Sequence, residues 1–160
     1  MPDIPTNRRA SVSKLCVLVA DSAVARIFTA RGPDGPLSEV ESLSHTASRM
    51  QERDLASDRP GRTFDSVGGG RHSKEPEVSP KEEEAVRFAE QLSKRMHAGR
   101  TAGEFDSLMV VAAPRFLGLL RDKLDPATRA LVSFELDKDL TRHMPEEIRS
   151  HLPEKLYTEG

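Results

Sequence analysis

The sequence predicts a single α/β domain built on a mixed five-stranded sheet, and three local patterns carry that prediction. Residues 15–20 (Leu-Cys-Val-Leu-Val-Ala) and 105–112 (Phe-Asp-Ser-Leu-Met-Val-Val-Ala) are apolar runs of strand length, as expected of strands buried on both faces. Between them, Ser79-Pro80-Lys81-Glu82 supplies an N-cap serine, a proline at the first helical position and a glutamate at the third, which is a helix start. A strand, a helix and a second apolar strand form the crossover pattern of neighbouring parallel strands. At 160 residues the chain is sized for one core.

In order along the chain, residues 1–13 are polar, contain Pro2 and Pro5, and read as a flexible tail. They lack the apolar core of about 7 to 15 residues that a secretory signal needs. Residues 15–20 form the central strand. Asp21-Ser22 is a turn, and residues 24–30, with Val24, Ile27 and Thr29, form its hairpin partner. Arg31-Gly32-Pro33-Asp34-Gly35-Pro36 is a second turn. Residues 37–43 alternate Leu37, Glu39, Glu41 and Leu43 against Ser38, Val40 and Ser42, which suits an edge strand. After the helix start, Ala85, Phe88, Ala89, Leu92 and Met96 recur on one helical face, and Gly99 is the expected terminator. Residues 105–112 then lie beside the first strand, a second helix opens at Pro114, residues 131–136 make a fifth strand, and Pro145 opens a last helix to about Leu152. The domain is bounded at 14–153, with 154–160 as a C-terminal tail.

A long loop spans 44–79 and carries Ser66-Val67-Gly68-Gly69-Gly70-Arg71-His72-Ser73-Lys74. Loops beyond about 12 to 15 residues are uncommon in compact domains and are usually functional or disordered. Three glycines beside Arg71, His72 and Lys74 give a backbone tip with phosphate-compatible side chains. No Gly-Lys-Ser/Thr follows, so it is not a P-loop.

Net charge is −2, with 36% hydrophobic and 31% charged residues. That balance excludes a protein coated in positive charge for nucleic acid, and makes any such contact local. The lone Cys16 excludes an internal disulfide and reads as a core hydrophobe, which suits a reducing cytoplasm. No apolar stretch approaches the roughly 20 residues that span a bilayer, so no membrane insertion is expected.

No catalytic constellation emerges. A two-metal nuclease needs converging carboxylates, but Asp21 and Asp106 fall at opposite ends of neighbouring parallel strands, about 20 Å apart. His45, His72, His97, His143 and His151 have no metal-ligand spacing and read as exposed polar positions, apart from His72 beside the glycines. Catalytic residues, metals and cofactors are therefore predicted to be none. A ligand crevice is compatible with the C-terminal ends of the central strands, where Asp21 and Ser22 close the first and Arg115 follows the fourth. Arg26 and Arg121 fit either this group or surface ion pairs.

Three meandering strands followed by helix, strand, helix, strand, helix is the order of ribonuclease-H-like domains. Three segments sharpen the resemblance: residues 17–28 (Val-Leu-Val-Ala-Asp-Ser-Ala-Val-Ala-Arg-Ile-Phe), 113–121 (Ala-Pro-Arg-Phe-Leu-Gly-Leu-Leu-Arg) and 135–141 (Glu-Leu-Asp-Lys-Asp-Leu-Thr). They resemble the bacterial host-attachment family, "protein required for attachment to host cells", across nearly the whole chain. That family is similar in turn to the middle domain of archaeal and eukaryotic peptide-chain release factors, whose Gly-Gly-Gln loop promotes peptidyl-tRNA hydrolysis.

The resemblance places the segment at Gly68 in the position of that loop, but Gly70 or Arg71 stands where glutamine is required. It implies a non-catalytic domain that binds RNA, the ribosome or tRNA through Gly68, Gly69, Gly70, Arg71, His72 and Lys74. Asp21, Ser22, Arg26 and Arg115 are further ligand candidates. Two alternatives remain open: an interaction protein contributing to host attachment directly or indirectly, and a small-molecule or nucleotide-binding domain. Direct contact with a host-cell surface has no support in the sequence, and a homo-oligomer is compatible with it.

Overall fold

A computed structural model describes residues 14–45 and 79–157. The polar tail 1–13, residues 46–78 with the Gly68 to Lys74 candidates, and 158–160 lie outside the described residues. The described chain forms one open sheet from β1 (Leu15–Ala20), β2 (Val24–Ala30), β3 (Leu37–Ser44), β4 (Ser107–Ala112) and β5 (Val132–Leu136), in the order β3-β2-β1-β4-β5. β2 is antiparallel to β1 and β3, while β4 is parallel to β1 and β5. This is the ribonuclease-H-like mixed sheet that the element order predicts. Four helices accompany it among the described residues: α1 (Pro80–Thr101), α2 (Pro114–Lys123), α3 (Pro126–Arg129) and α4 (Pro145–Ser150).

The unbroken apolar runs have a direct physical cause. Strand side chains alternate between faces, and both faces of β1 are covered. Cys16, Leu18 and Ala20 pack with Phe88, Leu92, Met96 and Phe116 of α1 and α2. Leu15, Val17 and Val19 pack on the other face with Leu140, Ile148, Leu152 and Leu156. β4 splits the same way, with Leu108 and Val110 on the first face and Met109 and Val111 on the second. Packing runs past residue 153: Leu156 is buried and its N–H donates to the Pro33 carbonyl at 2.8 Å.

β3 is an edge strand, but its alternation breaks. Ile27 pairs with Glu41 and Phe28 with Glu39, so Val40 is an extra residue in a bulge and stands exposed. The bulge reverses parity. Leu37 therefore joins the second core face, while Glu41 turns to the first and receives Arg95 of α1 at 2.8 Å. The one-face alternation expected from 37 to 43 does not hold.

Helix α1 starts where Ser79 and Pro80 place it, with Glu82 N donating to Ser79 Oγ at 3.0 Å. Its end differs from expectation. Gly99 is a buried interior residue, and the helix continues to Thr101. Gly103, at φ +76, is the real terminator: its N–H donates to Arg100 O, and the N–H of Glu104 to Gly99 O, which is the Schellman arrangement. The fourth strand correspondingly begins at Ser107, and Phe105 is a core residue ahead of it. The unanticipated α3 is capped by Asp125, which accepts from Thr128 N. The last helix stops at Ser150.

His45 is not an exposed histidine. Its Nε2 lies 2.7 Å from Glu84 Oε1, its ring stacks on Phe88 with centroids 5.4 Å apart, and only 17% of its side chain is accessible. Cys16 is buried as expected, and burial pushes its thiol up to about 12.

Candidate functional site

The parallel register of β1 and β4 aligns Ala20 with Ala112, so both strands end at one level. The chain then turns away in opposite directions: through Asp21 and Ser22 into the β2 hairpin, and through Ala113 into α2. A crevice opens where such connections diverge. Here it is a cleft of about 470 Å³ lined by Asp21, Ser22, Ser79, Lys81, Glu82, Ala85, Ala113, Arg115, Phe116, Leu119 and Asp139. The N-terminal turns of α1 and α2 both border it. Ala113 offers no side-chain cap to α2, so that helix presents its first N–H groups without one.

The cleft is chemically divided. Ala85, Ala113, Phe116 and Leu119 give an apolar floor, fixed from behind by the Phe88 and Phe116 rings stacked at 5.9 Å. Lys81 and Arg115 bring positive charge to the rim, and Arg115 Nη2 donates to Glu82 Oε2 at 3.0 Å. Asp21 and Asp139 form the acidic wall. Asp21 Oδ1 accepts from Ala23 N and Val24 N, each at 2.8 Å, which makes the tight turn after β1. Asp139 Oδ1 accepts from Thr141 N at 3.1 Å and Thr141 Oγ1 at 2.6 Å. The same Thr141 hydroxyl lies 3.3 Å from Asp21 Oδ2, so one buried threonine stands between the two carboxylates.

Of the candidates named from sequence, Asp21, Ser22 and Arg115 meet in this cleft. Arg26 does not line it. It donates to Glu39 from Nε and Nη2, and through Nη1 to the carbonyls of Thr141 and His143 at 2.9 and 2.7 Å. Its cation also lies 5.1 Å from the Phe28 ring centroid. It supports the acidic wall from behind. Arg121 likewise forms an ion pair, with Glu135 at 2.7 Å, and Glu135 raises its pKa. Asp106 sits at the far end of β4, accepting from Lys14 N, as its opposite-end placement predicts.

Sequence reasoning did not pick out Asp139. Its signal was the Asp139-Leu140-Thr141 turn shortly after a parallel strand, where the aspartate accepts hydrogen bonds from the second residue on. Among the described residues, no group of three or more His, Cys, Asp or Glu could hold a metal ion, and no helix is long and apolar enough to cross a membrane.

A family model described as "Protein required for attachment to host cells" matches residues 16–152. The chain belongs to that family. The match covers every strand and helix of the described fold, save Leu15 at the start of β1, and the whole lining of the cleft. No curated protein matches the chain in sequence.

Two solved structures resemble this family member. One is the archaeal translation termination factor aRF1, at a TM-score of 0.46 and 8% identity, covering 89% of this chain and 37% of that one. The other is the type II variant of the Aquifex aeolicus Ppx/GppA phosphatase, at a TM-score of 0.34 and 12% identity, covering 78% and 35%. The chain thus spans little more than a third of either.

Proposed function

We propose that this member of the host-attachment family is an RNA-binding domain, with the ribosome or tRNA as its partner. It holds RNA by the cleft beside Asp21 and Arg115 together with the Gly68 to Lys74 segment. The observation that carries this reading is that Ser79 is one of the residues lining the cleft. Ser79 is five residue steps from Lys74, which limits their Cα separation to about 18 Å, and eight steps from Arg71, which limits theirs to about 29 Å. Arg71, His72 and Lys74 thus lie within reach, along the chain, of a cleft that already carries Lys81 and Arg115. Such side chains bind phosphates by charge-assisted hydrogen bonds, and the contact is local on a chain of net charge −2. The function is binding rather than peptidyl-tRNA hydrolysis, because glutamine follows neither Gly68-Gly69 nor Gly69-Gly70. A cytoplasmic location accompanies this reading.

Sucrose-gradient sedimentation of tagged full-length protein tests it. Salt-sensitive co-migration with ribosomes or tRNA is expected, weakened by Arg71→Ala and Lys74→Ala. Absence of co-migration at low salt would refute the proposal.

A second reading rests on the family description alone: the protein contributes to attachment to host cells as an interaction protein. Protease treatment of intact cells separates direct contact from an indirect effect. Cleavage of the protein on intact cells favours direct adhesion, and protection favours an indirect role.

A further inference from the structure

We infer that the cleft at the ends of β1 and β4 takes one ribonucleotide unit, with Asp21 and Asp139 reading its ribose hydroxyls and Lys81 and Arg115 its phosphate. This rests on the RNA-binding reading above and specifies what its cleft recognises. The volume of about 470 Å³ falls in the range of roughly 300 to 1,000 Å³ typical of small-ligand sites.

Hydrogen-bond accounting gives the polarity. Thr141 has one hydroxyl proton, and the 2.6 Å contact with Asp139 Oδ1 takes it in preference to the 3.3 Å contact with Asp21 Oδ2. Asp21 Oδ1 is already occupied by two backbone N–H groups. Asp21 Oδ2 is therefore left without a donor among the described residues, and Asp139 retains a second carboxylate oxygen. The acidic wall thus calls for a ligand that supplies O–H or N–H donors.

The cations of the lining call for an anion. Lys81 is exposed, and the Arg115 side chain is 82% accessible; its ion pair is with Glu82, a third carboxylate of the lining, and leaves further guanidinium donors. Ala85, Ala113, Phe116 and Leu119 supply the apolar part of the lining. A simple phosphate would meet three carboxylates, those of Asp21 and Asp139 and that of Glu82 paired with Arg115. A neutral sugar would leave the rim cations unused. A ribonucleotide satisfies all three parts: base on the floor, hydroxyl donors to the carboxylates, phosphate at the rim. The 2′-hydroxyl is the group that separates RNA from DNA at such a site.

Fluorescence anisotropy provides the test, with full-length protein, a labelled single-stranded oligoribonucleotide, the deoxyribose oligomer of the same sequence, and free adenosine monophosphate as competitor. The RNA oligomer should bind about tenfold more tightly than the DNA, the weight of one charge-assisted hydrogen bond. Asp139→Asn keeps an acceptor for Thr141 but replaces an acceptor facing the cleft with a donor, and should erase the RNA preference. Leu119→Trp fills the floor and should weaken both oligomers; circular dichroism of each variant confirms folding.

RNA binding that neither variant changes, or equal RNA and DNA affinity in the parent, overturns the assignment to the cleft while leaving RNA binding intact. No binding of any RNA overturns both. Displacement by adenosine monophosphate at concentrations comparable to the oligomer supports the cleft chemistry and identifies a free nucleotide as its source. Displacement only by oligomer identifies an RNA chain.

Discussion

Glycine to alanine at three positions should give one stabilised and two destabilised variants, set by what the new methyl group meets and by the backbone angle it must adopt. At Gly118, inside α2, an added Cβ has no heavy atom within 4 Å. The substitution gains helix propensity and should stabilise by about 0.8 to 1 kcal/mol. At Gly99, inside α1, the same gain applies, but the Cβ would lie 2.9 Å from Phe105 Cε2, 2.9 Å from Glu104 Oε1 and 3.1 Å from Arg95 Nη1. Glu104 is half exposed and can swing aside. Phe105 is a 5% exposed core ring and cannot. Overpacking of this kind costs about 1 to 3 kcal/mol, which leaves Gly99→Ala destabilised by about 1 kcal/mol net.

At Gly103 space is open, but φ of +76 costs an L-residue about 1 to 2 kcal/mol. For a chain of this length each kcal/mol moves Tm by about 2 to 4 °C. Thermal and urea unfolding of the three variants should therefore show Gly118→Ala rising and the other two falling. A Gly99→Ala protein as stable as Gly118→Ala would refute the packing of Phe105 on α1.

Two further perturbations follow from the same structure. Arg26→Ala strands the carbonyls of Thr141 and His143 and removes a guanidinium that is only 16% exposed. It should cost about 2 to 3 kcal/mol, with faster amide exchange concentrated at 139–143; unchanged exchange there would remove its role as a support for the cleft wall. In acid, Glu41 is held below its ordinary 4.5 by its hydrogen bonds from Arg95, and Asp125 below 3.8 chiefly by the Thr128 hydroxyl. The unfolded chain then takes up protons first as pH falls, so their contribution is complete above about pH 4.5 and is lost below it. Urea midpoints should drop through that window, and less steeply in Arg95→Ala, which frees Glu41.

What could be read from the sequence was whatever local patterning decides. The doubly buried strands β1 and β4 need apolar residues at every position, and the Ser79-Pro80 start needs only its own neighbours. Gly99 shows the limit. Two glycines, Gly99 and Gly103, stand near the end of α1, and a terminator and a close-packing glycine look alike in one dimension. The choice is made by Phe105, which needs a residue without a Cβ beneath its ring. The bulge at Val40 was hidden for a related reason: alternating Glu and Leu give a regular pattern, and only Arg95 of α1 on one face and Arg26 on the other pull Glu41 and Glu39 apart. By contrast, α3 carried a readable signal, since Asp125-Pro126 repeats the cap-then-proline logic of Ser79-Pro80.

The candidate site divides along the same line. Asp21, Ser22 and Arg115 could be placed because each directly follows a central parallel strand, where side chains converge at the ends of the sheet. Asp139 could not, because it reaches the cleft through a contact 120 residues away in sequence, from Thr141 to Asp21. That contact depends on Arg26 holding the Thr141 carbonyl, and so on β2 being paired in register with β1. The acidic wall therefore exists only once the hairpin and the segment after β5 are both in place. A site assembled this way should be lost before the sheet is: mild destabilisation of the 139–143 segment will remove the Asp139 wall while Asp21, fixed by its own turn, remains.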